Sequence, residues 1–162
     1  MGCGKSTVGA ALARRLCARF VDTDHQVAQQ AGVSIPEIFA DQGEAAFRRL
    51  ERAAVDRVAG KPVVVALGGG AMAQQGMAEQ LAGTGTTVYL RALPETLVER
   101  LGAAEERPLL AGLNREQRET RLRELLAERE VHYAAAKVSV DTDARDVEAV
   151  VEEIAGRLED SR

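Results

Sequence analysis

The chain opens Met1-Gly2-Cys3-Gly4-Lys5-Ser6-Thr7 and runs straight into a helical pattern, with apolar Val8, Leu12 and Leu16 on one face. Gly4, Lys5 and Ser6 match the last three positions of the phosphate-binding loop G-x-x-x-x-G-K-S/T, which normally follows a strand and opens a helix. The first glycine of that pattern and its strand have no counterpart after residue 1. Gly2 and Gly4 let backbone N–H groups turn inward against an anion. Lys5 can reach a nucleotide's β- and γ-phosphates, and the Ser6 hydroxyl can ligate Mg²⁺. The anion would sit at a helix N-terminus, where free N–H groups and the dipole favour negative charge. Gly2, Cys3, Gly4, Lys5, Ser6 and Thr7 are therefore the expected nucleotide-binding residues.

A Gly-rich helix start can also be structurally neutral, and two further readings compete for this segment. Met1-Gly2-Cys3-Gly4-Lys5-Ser6 fits an N-myristoylation pattern, with Cys3 as an acylation site. Residues 1–21 carry Arg14, Arg15 and Arg19 and no acid, as a transit peptide would. Neither explains why Gly-Lys-Ser-Thr leads directly into a helix.

Composition narrows the class. The 162 residues are 46% hydrophobic, enough for one core and one domain over residues 1–162. The 21 basic and 25 acidic side chains give a net charge of −4, which argues against a nucleic-acid surface. No apolar run approaches the roughly 18 residues of a membrane span. Cys3 and Cys17 have neither metal nor redox spacing, so a cytoplasmic, reduced protein is expected. Aromatic residues are only 3%, which leaves the core to Ala, Val and Leu.

Helical and strand signals alternate from end to end, the pattern of an α/β fold with a parallel sheet flanked by helices. Strands are expected at 19–22, 62–67, 86–90 and 137–141. Helices are expected at 5–18, 24–31, 43–59, 74–82, from Pro94 to 101, up to Tyr133, and at 145–158. Ser34-Ile35-Pro36-Glu37 marks a further helix start. Pro62-Val63-Val64-Val65-Ala66-Leu67 is apolar throughout, as a strand buried on both faces requires. Residues 102–114 read as a mobile lid.

Asp22-Thr23-Asp24 and Gly68-Gly69-Gly70-Ala71 follow strands, where open α/β sheets bind ligands. Phe47-Arg48-Arg49-Leu50-Glu51 lies on a helix, Arg107-Pro108-Leu109-Leu110 in the lid, and Arg129 beyond it. Each alone is weak. In this order, with Gly-Lys-Ser-Thr, they resemble the shikimate kinase family over essentially the whole chain.

That resemblance implies a P-loop kinase with a five-stranded parallel sheet, using ATP and Mg²⁺ to phosphorylate the 3-hydroxyl of shikimate. Arg48 and Arg129 would hold the substrate carboxylate, a ligand that the guanidinium fork matches bidentately. Without the resemblance Arg48 reads equally as a solvated helix arginine. Glu51, three residues on, could hold the Arg48 guanidinium. Asp24 would orient the substrate hydroxyls and serve as the general base, and Asp22 would hold Mg²⁺ through water, as the acidic partner to Ser6. Either aspartate could also cap the next helix, which suits Asp24 in particular. Gly68, Gly69 and Gly70 would bring backbone N–H groups close to substrate. Arg107 would neutralise transition-state charge beside Lys5. Arg100 would stack on adenine and Arg145 lie near it, with Val147 where the family often has proline. His25 and His132 have no expected role. The partners are shikimate and ATP, and the protein is expected to be a monomer.

The resemblance also implies that the first, central strand of the sheet lies before residue 1, so that Met1 is an internal residue of the loop. Loss of roughly five or six buried apolar side chains, at about 1.5–3 kcal/mol each, would remove on the order of 8–18 kcal/mol. The total stability of a domain is about 5–15 kcal/mol. A gap is therefore expected between the strands at 63–67 and 87–91. The alternatives are a truncated, inactive nucleotide-binding remnant and a related small-molecule kinase such as gluconate kinase. Asp22-Thr23-Asp24 with Phe47-Arg48-Arg49-Leu50-Glu51 speaks against the latter.

Overall fold

Four short strands and seven helices build the chain in a computed structural model that describes residues 2–101, 109, 110 and 112–160. The order is α1 (Lys5–Arg15), β1 (Arg19–Asp22), α2 (Thr23–Ala31), α3 (Ile35–Val58), β2 (Val63–Ala66), α4 (Met77–Ala82), β3 (Val88–Arg91), α5 (Pro94–Leu101), α6 (Arg115–Tyr133), β4 (Val138–Asp141) and α7 (Val147–Glu159). Every strand pair is parallel. β1 lies beside β2 with Arg19 opposite Val63, and β3 lies beside β4 with Val88 opposite Val138. Each connection crosses over through helices, as parallel pairing demands.

The strands form two separate two-stranded sheets, β1-β2 and β3-β4. The break falls between β2 and β3, where the gap is expected. It holds a cavity of about 740 Å³ lined by residues of both strands, Val63 to Ala66 and Val88 to Leu90. Val8 and Leu12 of α1, Ile154 of α7, Val55 and Val58 of α3, and Leu122 and Leu125 of α6 complete its apolar wall. The halves are held together by helices. α1 packs on both β2 and α7, and Val64 joins the cluster of Val8, Leu12, Leu90, Val140 and Ile154.

Local chemistry explains where the helices begin and end. Ser34 and Glu37 form a reciprocal capping box at the start of α3, with proline in its first turn. α1 stops at Arg15, three residues earlier than expected. Cys17 takes a left-handed φ of 51°, and the Ala18 N–H donates to the Ala13 carbonyl at 2.8 Å. No glycine announces this turn, so the sequence carries no signal for it. α3 joins the two expected helical segments through a kink at Gly43, whose φ of 78° and ψ of 170° interrupt the helix.

Candidate active site

Functional residues gather where β1 and β2 end. Thr23, fully buried, ties the two strand ends together. Its hydroxyl donates to the Ala66 carbonyl at 3.3 Å and accepts from the Gly68 N–H at 3.0 Å. This places Asp22 and Asp24, on either side of Thr23, beside the triple-glycine turn. Asp22, rather than Asp24, caps α2: one of its oxygens accepts from the N–H groups of Asp24 and His25 at 3.0 and 3.3 Å. The neighbouring aspartate is thereby left in the first helical turn, aimed at the glycines.

The other Asp22 oxygen accepts a 2.6 Å hydrogen bond from the Ser6 hydroxyl. A hydroxyl and a carboxylate in contact form a hard oxygen pair of the kind Mg²⁺ shares with nucleotide phosphates. Gly4 caps α1 in a left-handed conformation, with no side-chain cap and no acid in the first turn. Gly2 and Gly4 both adopt positive φ, 71° and 87°. The leading N–H groups of the helix thus have no side-chain acceptor, which leaves them to an anion. Lys5 lies with its Nζ 3.8 Å from the Cys3 sulfur. Thr7, exposed, is in the same first turn.

The acceptor end of the site is built on Gly68, Gly69 and Gly70. A Cβ on Gly68 would lie 1.9 Å from Glu51 Oε1 and 2.7 Å from Asp24 Oδ1. On Gly70 it would lie 2.7 Å from both terminal nitrogens of Arg48. A side chain at either glycine would displace these groups, of which Glu51 is buried and Arg48 is held by two carboxylates. Arg48 donates to Glu51 at 2.7 Å and to Glu44 at 2.9 and 3.2 Å, and its guanidinium lies over the Phe47 ring. Glu51 is completely buried and also accepts from the Gln74 amide at 2.7 Å. Burial raises the Glu51 carboxyl above the ordinary glutamate range, against the opposing pull of Arg48, and the nearby Asp24 charge adds to the rise. Burial also works against the Arg48 cation, but the hydrogen bonds to Glu51 and Glu44 outweigh it and the guanidinium pKa rises.

From the far side α6 delivers Arg129, whose Nη1 donates to the Gly69 carbonyl at 3.0 Å. Both expected carboxylate-binding arginines therefore lie against one glycine turn, though they are 81 residues apart in sequence (129 − 48). Lys5, Gly68, Gly69 and Arg129 also line the mouth of the cavity between the sheets. A glycine-floored site of this kind, with two arginines and the Asp24 and Glu51 carboxylates against it and a phosphate loop alongside, suits phosphoryl transfer to a small anionic acceptor.

The shikimate kinase family model matches residues 1–159. The chain belongs to the shikimate kinase family. It is 44% identical to the shikimate kinase of Chlorobium luteolum over 164 aligned residues, covering 98% of this chain and 81% of that protein. Identity to the Thermus thermophilus shikimate kinase is also 44%, over 98% of this chain and 85% of the other. Among solved structures, the shikimate kinase of Acinetobacter baumannii in complex with shikimate superposes with a TM-score of 0.94 at 34% identity, covering all of this chain and 90% of its own. As a member of that family the chain is a phosphotransferase that uses ATP with Mg²⁺.

The remaining expected residues lie apart from this cluster. Arg100 is turned onto Thr142, donating to its hydroxyl at 2.9 Å and to its carbonyl. Arg145 is occupied by Glu153 and by the Ala149 carbonyl on α7. Val147 is the first residue of that helix. Arg107 lies outside the described residues. Sequence reasoning overlooked Thr23, Gln74, Thr142 and Tyr133, because each acts through a contact to a distant carbonyl, carboxylate or arginine.

Proposed function

We propose that the chain transfers the γ-phosphoryl group of ATP to the 3-hydroxyl of shikimate, with the residues around Gly68, Gly69 and Gly70 holding the acceptor. The observation that carries this reading is the convergence of Asp24, Arg48 and Arg129 on that turn. Arg48 and Arg129 grip the substrate carboxylate and so fix the ring. Asp24 accepts a hydrogen bond from the reacting hydroxyl and turns its lone pair toward the phosphate. It takes up the proton as the bond to phosphorus forms. Phosphoryl transfer depends mainly on alignment and charge neutralisation, so orientation is the larger share of this work.

Gly2, Cys3, Gly4, Lys5, Ser6 and Thr7 hold the phosphates through backbone N–H groups and the Lys5 ammonium. Ser6 and Asp22 are the residues that would hold Mg²⁺, which when bound neutralises charge on the β- and γ-phosphate oxygens. Arg100 and Arg145 flank the adenine, and Arg107, in a lid over about 102–114, adds positive charge in the transition state. Residues 1–162 belong to one shikimate-kinase-like domain, and the protein is a cytoplasmic monomer with no nucleic-acid partner. Among the described residues no helix is long and apolar enough to cross a membrane.

The test is a coupled ADP-release assay with shikimate, set against the same acceptor lacking its carboxylate. Shikimate-dependent turnover that collapses with the carboxylate-free acceptor supports the reading. Equal turnover on both removes the role of the two arginines. Arg107→Ala should lower kcat far more than it weakens shikimate binding, since its charge is used mainly in the transition state. A variant with normal kcat and weaker shikimate binding alone would assign Arg107 to the ground state.

A further inference from the structure

We infer that Tyr133 is a positioning residue for the substrate carboxylate, acting through the Gly69 carbonyl to set the plane of the Arg129 guanidinium. Tyr133 is the last residue of α6, one turn beyond Arg129 and on the same face. Its hydroxyl donates to the Gly69 carbonyl, the atom that also accepts from Arg129 Nη1 at 3.0 Å. A carbonyl oxygen has two lone pairs, and here each meets one donor from α6.

The consequence for Arg129 is geometric. Guanidinium is planar with five N–H donors, and one bond to Gly69 leaves four for a carboxylate. A bidentate grip requires that plane to be fixed. A single hydrogen bond to a glycine carbonyl fixes it poorly, because glycine peptides rotate with little steric resistance. The second donor locks the carbonyl, and through it the arginine. The tyrosine ring is itself held. It packs at a tilt of 34° against Tyr89 with ring centroids 4.9 Å apart, and the Tyr89 hydroxyl donates to Glu130 at 3.2 Å. Tyr133 therefore offers its hydroxyl from a braced ring.

This inference rests on Arg129 binding the substrate carboxylate, and the experiment separates the two. Equilibrium binding by calorimetry would be measured for shikimate and for its neutral carboxamide analogue. The proteins compared are the parent, Tyr133→Phe, Arg129→Ala and the double variant. Tyr133→Phe keeps the ring and its contact with Tyr89, so its melting temperature reports any general damage. The expected result is a roughly three- to tenfold rise in the Kd of shikimate, with little change for the carboxamide. In the Arg129→Ala background Tyr133→Phe should have no further effect. A purely structural role would weaken both ligands alike and add to Arg129→Ala; either outcome overturns the inference. An unchanged shikimate Kd in a folded Tyr133→Phe protein does the same while leaving the Arg129 assignment intact. If Arg129→Ala does not affect shikimate binding, or the parent does not bind it, both fall.

Discussion

Arg48 is more firmly held than a helix-surface arginine would be. It contacts Glu44 and Glu51, lies over Phe47, and fills the space that a side chain on Gly70 would need. A lysine could keep the charge but not the fork. Arg48→Lys should therefore lower kcat/KM for shikimate by about 30- to 1,000-fold, which is about 2–4 kcal/mol. Unchanged kcat/KM in a folded variant would reject the assignment. Its partner Glu51 ties stability to pH. Because burial raises its pKa in the fold, the folded protein keeps a proton that the unfolded chain has already released. Its contribution to stability is full below the ordinary glutamate range and declines as pH rises through the raised folded value. Glu51→Gln abolishes that titration while retaining an acceptor for Arg48. The melting temperature of the variant minus that of the parent should therefore climb across the carboxylate range and then level off. A difference that stays flat from about pH 4 to about pH 7 would place the Glu51 titration elsewhere. The motif around Arg48 and Glu51 was legible in the sequence, but the Gln74 amide that completes it was not. Nothing local distinguishes Gln74 from Gln75.

Among the elements, α3 is the one whose shape matters most to the site. It carries Arg48 and Glu51, and buries Phe47, Ala54 and Val55 on its core face. The kink at Gly43 lies just before that segment, and the Ser34–Glu37 capping box fixes the helix start. A Cβ at Gly43 would meet nothing within 4 Å, so the cost of Gly43→Ala is in the backbone alone. At a φ of 78° and ψ of 170°, a region essentially reserved for glycine, a non-glycine residue costs on the order of 1–3 kcal/mol. Chemical denaturation of Gly43→Ala should show a loss of that size with an unchanged m-value. A stabilised variant would mean that the helix prefers to run straight through. The two helical segments of α3 were visible in sequence pattern, whereas their joining into one kinked element was not. Similarly, Asp22 and Asp24 suit a helix cap equally by residue type. The Thr23 bridge between β1 and β2 decides between them, and that bridge spans 43 residues.

For the whole molecule, the governing feature is the cavity between β2 and β3. Among the described residues each strand there pairs on one side only, and apolar side chains from α1, α3, α6 and α7 line much of the wall. A parallel strand apolar at every position satisfies both backbone edges and both faces at once. Fusing such a strand of about five residues ahead of Gly2, through a short glycine-rich turn, should raise the melting temperature by more than about 10 °C and sharpen the transition. The same fusion with two central aspartates is the control. Equal melting of the two would show that the cavity does not take a strand. The sequence by itself determined what depends on neighbours along the chain: the phosphate loop, the capping box, the apolar run of β2, the glycine turn and the family that these motifs identify. The tertiary structure decided which charges meet. Arg129 is one of several arginines on a helix crowded with Arg and Glu, and only the approach of α6 to Gly69 sets it apart. Capping and periodicity are local, written every few residues. A contact across 60 residues depends on how helices and half-sheets pack, and leaves no mark on the residues between.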